Sequence, residues 1–359
     1  MNAVQKKSYF SNISHLRLIE NKSSRGNVMN GEEFHSLFEQ ALSTYDYDNQ
    51  PNKFVRLMQI ISAWACATNC VRILFRKIFI SQRKSFMQIL WEMGRDPKHY
   101  SSFFIDRISK LNHHIKVDAA SSMALDTMYD WDEKIRPVIT KDSWANRFEK
   151  FWFDNSENRR SLVNRKKMVN ALLVRAIDHF LNEPEVRIIS VACGSARAVI
   201  DAILHCKHPN VRVVLIDRDQ KALDNARKNM EAHGIRNVEY VKGTMRKISK
   251  VATYFSPHIV EMVGLTDYLT VERAADFSRT VSEVLETGGF YLTGNIHSNP
   301  EKIFLDWGLL WPMVYKTPGD LLRIGRGEFP DRKRAFKDEF VKVFCEPLGI
   351  HGLVLSHKA

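Results

Sequence analysis

The chain has 359 residues, 44% hydrophobic and 26% charged, with a formal net charge of +12. That length suits two domains, or one with a large extension. No apolar run reaches the ~18 residues of a membrane-spanning helix, and the opening MNAVQKKSYFSNISHLRLIE lacks the apolar core of a signal peptide, so a cytoplasmic protein is expected. The five cysteines show no paired CxxC spacing, which argues against a disulfide framework or a zinc site, and no metal is expected.

Residues 1–30 are polar, rich in Ser, Asn and Lys, and are expected to form a flexible arm. From 31 to 181 the apolar spacing is helical and glycines are few, which predicts an all-helical lid or substrate domain. Within it, residues 51–100 carry nine Lys or Arg against two Asp or Glu, and an uncharged run of fifteen residues separates Arg56 from Arg72. A basic amphipathic helix of this kind can dock on an anionic membrane or on nucleic acid. The expectation favours a helix docked on the protein with a solvated basic rim. No nucleic-acid partner is expected, because helix-turn-helix, zinc-finger and RNA-binding signatures are all missing.

Asn182-Glu183-Pro184 ends the helical part. Residues 182–359 then alternate between strand and helix patterns. Strands are predicted over 187–192, 212–216, 238–241, 259–263 and 290–294, with helices between them, notably Gln220 to His233. This alternation predicts an α/β fold with parallel strands and right-handed crossovers. Residues 341–345 and 352–356, joined through Pro347-Leu348-Gly349, predict a C-terminal antiparallel hairpin closing the sheet.

The first strand runs into Ala192-Cys193-Gly194-Ser195-Ala196-Arg197, and the second ends at Asp217, twenty-three residues beyond Gly194. Gly194 permits a sharp turn and a close backbone approach, and an acid at the second strand's tip can take both hydroxyls of a ribose, so a nucleoside is the predicted ligand. One glycine followed by side chains is not the three-glycine pattern that cradles a pyrophosphate. Glu261 lies inside the apolar run of the fourth strand, where an acid needs a partner. His297 stands just past the fifth strand, and its titration range makes it a general-base candidate.

This order of motifs resembles the class I S-adenosylmethionine-dependent methyltransferases, with a Rossmann-like sheet. The resemblance implies S-adenosyl-L-methionine as cofactor: Cys193, Gly194, Ser195, Ala196 and Arg197 hold its methionine part, and Asp217, with Arg218 beside it, its ribose. Thr244 and Met245 then fall at the adenine, where a carboxylate is common in the family and Thr244 replaces it. Gly264-Leu265-Thr266-Asp267-Tyr268-Leu269, Gly294-Asn295-Ile296-His297 and the Trp307 to Thr317 stretch resemble a bacterial branch that includes 3-hydroxy fatty acid methyl ester synthase-like proteins. The match spans about residues 150–359. It departs from the branch at Ser195-Ala196, where Gly-Pro-Ala is commoner, and at Lys316, where Arg is usual.

By the same resemblance, the segment from Phe151 to Arg165 lays Arg160 and Arg165 across the cofactor, with Arg165 on the methionine carboxylate and Glu261 suited to its amine. Tyr129 and Trp131 are candidates to line a lid over the sulfonium. Trp131, Trp152, Asp267, Tyr268, Asn295, Trp311 and Tyr315 are the expected substrate pocket, and His297, Glu261 and Tyr129 the catalytic candidates. The expected partner is a small molecule, and the leading expectation is methyl transfer to a metabolite, acyl or carboxylate-bearing compounds included. The alternative uses the aminocarboxypropyl arm of the cofactor, by transfer or by closure to azetidine-2-carboxylate with release of methylthioadenosine. A non-catalytic, membrane-associated or regulatory binding protein is the third reading.

Overall fold

The computed structural model describes residues 29–62, 64–80 and 84–359, so all but the end of the expected N-terminal arm lies outside the described residues. The apolar, β-branched runs form strands within two residues of their expected limits: β1 (Val186–Val191), β2 (Val211–Asp217), β3 (Val238–Lys242), β4 (Ile259–Val263), β5 (Phe290–Ile296), β6 (Val341–Cys345) and β7 (His351–His357). They pair in the order β3-β2-β1-β4-β5-β7-β6, the first five parallel and β7 antiparallel between β5 and β6. Full burial of both faces explains the near-continuous apolar character of β1, β2 and β5.

The helices before the sheet are α1 (Gly31–Ser43), α2 (Lys53–Ile61), α3 (Trp64–Phe75), α4 (Phe86–Gly94), α5 (Phe103–Ile108), α6 (Lys110–Val117), α7 (Ser122–Tyr129), α8 (Trp144–Asn155) and α9 (Glu157–Asp178). Those of the α/β part are α10 (Arg197–His205), α11 (Gln220–Ala232), α12 (Lys247–Phe255), α13 (Val271–Val284) and α14 (Pro318–Arg326). The all-helical stretch followed by alternating strands and helices is the architecture expected from the sequence.

The two parts share a core. Phe34 and Phe38 of α1 and Leu172, Leu173 and Ile177 of α9 pack in one cluster with Phe290 and Leu353 of the sheet. Helices α5 to α8 have their own cluster, which extends to Phe304, Leu309 and Trp311 after β5. Helices α2 and α3 dock on the protein through Val55, Gln59, Asn69 and Ile73, but more than a basic rim is solvated: Ile60, Ile61, Val71, Leu74 and Phe75 are all exposed, as are Ile78, Phe79 and Ile80 in the π-helical turn that follows.

Candidate functional site

After β1 the chain passes through three residues with left-handed backbone, Ala192 (φ 54°), Gly194 (φ 54°) and Ala196 (φ 56°), before α10 begins. Glycine adopts this conformation freely, whereas each alanine costs about 1–2 kcal/mol. Hydrogen bonds hold the turn: Cys193 N donates to the Ile216 carbonyl (3.3 Å), Gly194 N to Asp217 Oδ2 (3.0 Å) and Ala196 N to the Cys193 carbonyl (2.8 Å). Asp217 also accepts from Asp219 N through Oδ1 (2.9 Å). A carboxylate has about four acceptor sites, so it keeps capacity for two further donors.

Helix α7 lies over this loop. A Cβ placed on Gly194 would come within 3.3 Å of Ser122 Cβ. Ser195 Oγ donates to Asp126 Oδ1 (2.6 Å), and Arg197 bonds both oxygens of Asp130 (2.7 and 2.9 Å) while its Nε lies 2.7 Å from Asp126. Bidentate guanidinium pairing of this kind fixes orientation as well as distance. Burial raises the Asp126 carboxyl above its usual range against the pull of Ser195 and Arg197; at Asp130 the bonds from Arg197 and Lys134 outweigh burial and hold it below.

Beneath α7 lies a cavity with about 610 Å³ of unfilled space, its open mouth included, bounded by the loop from Ala192 to Arg197, by α9 and by the ends of β1 and β4. Its polar lining includes Tyr129, Arg165, Ser190 and Glu261. The β1 and β4 register sets Ser190 directly beside Glu261. Ser190 Oγ donates to Glu261 Oε2 (2.5 Å), and Val263 N to Oε1 (2.8 Å). Burial lifts the Glu261 carboxyl from 4.5 to about 6, against these two donors and the nearby Arg165 charge.

Arg165 projects from α9 with only 4% of its side chain exposed. Its Nη1 is 3.6 Å from Asp267 Oδ2, beyond hydrogen-bond length, and has no hydrogen-bond partner. A buried guanidinium nitrogen left in this state is costly unless a ligand supplies the acceptor. Thiol chemistry is not indicated for Cys193, whose pKa burial pushes well up.

The cavity thus gathers Cys193, Gly194, Ser195, Ala196, Arg197, Arg165, Glu261 and Tyr129. The side chains of Ser195 and Arg197 serve as a latch to α7, which differs from their expected contact with a cofactor. Asp217 accepts from Gly194 N, and Arg218 and Thr244 stand exposed at the ends of β2 and β3, with Met245 half-buried; none of these four lines the cavity.

His297 lies outside the lining of this cavity. Its Nδ1 donates to the Lys316 carbonyl (2.6 Å), its Nε2 lies 3.7 Å from Cys345 Sγ, and a Cβ on Gly352 would sit 2.4 Å from that same nitrogen. The ring is packed against the C-terminal hairpin, with Nδ1 as its donor and Nε2 beside Cys345. The residues expected at the substrate pocket do not line this cavity, and Trp152 lines a second, smaller one. Trp131 Nε1 donates to Asp154 (2.9 Å), Trp152 Nε1 to Asn112 (3.3 Å), Trp311 Nε1 to the Tyr268 hydroxyl (2.7 Å) and the Tyr315 hydroxyl to Asp306 (2.7 Å). Asn295 Oδ1 accepts from Lys316 Nζ (2.8 Å), and Asp267 accepts from Ile296 N (2.8 Å) while facing Arg165.

Ser190, Asp126 and Asp130 escaped the sequence reading. Ser190 is the one polar residue of β1 on the buried side, and the two aspartates stand one helical turn apart, a spacing that aims both at the same partner.

Residues 188–289 match the family model described as "Methyltransferase domain". No curated protein matches the chain by sequence. Among solved structures, a protein from Bordetella parapertussis described as a possible exported protein is similar at TM-score 0.51 and 14% identity, over 78% of this chain and 99% of that one. The S-adenosylmethionine-dependent methyltransferase SibL, in its apo form, gives a TM-score of 0.41 at 14% identity, over 80% and 72% of the two chains. Magnesium protoporphyrin IX methyltransferase (ChlM) from Synechocystis PCC 6803 with bound SAM gives 0.39 at 9% identity, over 57% and 85%. The matched segment lies within the seven-stranded sheet and supports a transferase, with a methyltransferase domain over residues 188–289.

Proposed function

We propose that the protein binds S-adenosyl-L-methionine with its methionine end in the cavity under α7 and transfers its methyl group to a small-molecule acceptor. The observation that carries this reading is the buried Arg165, paired at 3.6 Å with Asp267 but with no hydrogen bond at Nη1, in a cavity whose floor is the turn after β1. The residues fit the group. Arg165 offers the acceptor-seeking charge for a carboxylate, Glu261 and Ser190 a negative site for an ammonium, and Asp217 its free acceptor sites for a ribose diol. Bound there, the cofactor supplies a methyl carbon already activated by its sulfonium. The protein's work is then to align the acceptor, exclude water beneath the latched α7, and hold or take a proton at Glu261 or Tyr129. An acyl or carboxylate-bearing acceptor rests on the resemblance to the bacterial branch alone.

A second reading is favoured by one feature: the titratable carboxyl inside the cavity is Glu261, on the side assigned to the amine. Withdrawal of a proton there would prepare the amine to attack its own chain, closing a four-membered ring and releasing methylthioadenosine. Product analysis separates the two readings. S-adenosylhomocysteine formed only with an acceptor supports methyl transfer; methylthioadenosine formed without one supports ring closure. Calorimetry with S-adenosylhomocysteine tests the site itself. Arg165→Ala is expected to raise the dissociation constant by roughly 10- to 100-fold, the worth of one charge-assisted hydrogen bond. Equal affinity in a variant that remains folded would remove Arg165 from the site.

A further inference from the structure

Helices α2 and α3 meet the protein through a mixed face, with Val55 and Ile73 buried in its core clusters beside the polar Gln59 and Asn69. Gln59 Nε2 donates to Glu301 (2.7 Å), Asn69 Nδ2 to the Trp307 carbonyl (2.9 Å), and Arg56 pairs with Glu157 (2.6 Å). Their opposite side is also apolar and faces out. Of the twenty large apolar side chains exposed among the described residues, ten lie between Phe54 and Ile80, and Phe79 and Ile80 are 72% and 70% exposed. Phe75 and Phe79 keep ring contact at 5.1 Å on this outer side. A patch this concentrated on a folded protein marks a surface that meets something apolar.

The charges beside it say what. Lys53, Arg76 and Lys77 have no carboxylate within ion-pair distance among the described residues, in a stretch where cations outnumber acids nine to two. We infer that this face is a seat for an anionic lipid bilayer surface: the apolar side chains enter the boundary below the headgroups, and the cations lie among the phosphates. A second copy of this chain meeting it symmetrically would bring like charges together. The helices lie on the bilayer and do not cross it. No single helix among the described residues is long and apolar enough to span, the pair is bent by 44°, and a span would strip the bonds to Glu301 and Trp307.

The test uses the full chain and does not depend on the proposed activity. Co-sedimentation is measured with vesicles of phosphatidylcholine alone and of phosphatidylcholine mixed with phosphatidylglycerol, at low and high salt. The expected result is binding to the anionic vesicles that weakens steeply with salt. Leu74→Ser combined with Phe75→Ser and Phe79→Ser touches only outward-facing residues and is expected to reduce that binding about tenfold or more, with an unchanged thermal melt. Failure to sediment with anionic vesicles at low salt would overturn the proposal, as would equal binding by the triple variant. A dimer in light scattering that the triple variant dissolves, without vesicle binding, would assign the face to a second copy instead.

Discussion

Glu261 is the side chain whose protonation the fold most directly controls. Its carboxyl ionises near 4.5 when solvated and at about 6 inside the cavity, so folding favours the protonated form. The stability it confers is therefore fully present below 4.5 and is lost as pH rises through about 6, at an order-of-magnitude cost of about 2 kcal/mol. Glu261→Gln is expected to flatten the pH dependence of the thermal midpoint across that interval and to leave the protein no less stable than the parent at neutral pH. The same substitution is expected to weaken S-adenosylmethionine binding, since a neutral amide no longer balances an ammonium. A variant with the parent's pH profile would show that another group titrates there. Glu261 could be found from sequence because an acid within an apolar strand is conspicuous. His297 could not be assigned, because a residue past a strand end can face the cavity or the neighbouring hairpin, and only the return of Cys345 and Gly352 beside the ring decides between them. Lys316 illustrates the same limit: its ammonium donates to the Thr266 and Val314 carbonyls and to Asn295 Oδ1, so a compact three-donor head suits a buried niche that local sequence does not reveal.

The strained turn after β1 and helix α7 act together. Left-handed alanines at 192 and 196 persist because their surroundings fix them, and the Ser195 and Arg197 contacts to Asp126 and Asp130 contribute to that constraint. Arg197→Ala leaves Asp126 without its cation and Asp130 with Lys134 alone, so α7 is expected to open more often while the sheet is unaffected. Hydrogen exchange would show this as lost protection across residues 120–135 with unchanged protection in β1 and β2, and cofactor affinity is expected to fall because the cavity's roof loosens. Uniform loss of protection in both would mean that Arg197 supports the whole fold and is not a latch. The strands were legible because β-branched runs and their spacing are local properties. The outward face of α2 and α3 was not: helical periodicity gives an amphipathic helix but does not say which side meets the protein, and here Val55, Gln59, Asn69 and Ile73, not the leucines and phenylalanines, make the inward contacts.

A boundary near residue 182 separates two sequence patterns, yet the packing crosses it. Phe38 of α1 is fully buried with its ring 5.4 Å from that of Phe290 in β5, and Phe34 stacks 6.0 Å from His357 of β7, so the N-terminal helix completes the core on one face of the sheet. Helix α9 carries Leu172 and Ile177 into the same cluster at one end and Arg165 into the cavity nearer the other. A core shared in this way predicts one cooperative unit. Phe38→Ala removes a fully buried aromatic ring and is expected to cost about 3–5 kcal/mol. If the packing couples the two parts, calorimetry will show a single unfolding transition shifted as a whole, with near-UV signals from the helical tryptophans and far-UV signals from the sheet moving together. Two resolved transitions, with only one displaced, would show that the helices before α9 unfold independently of the sheet and that α7 can leave the cavity without disturbing the fold beneath it.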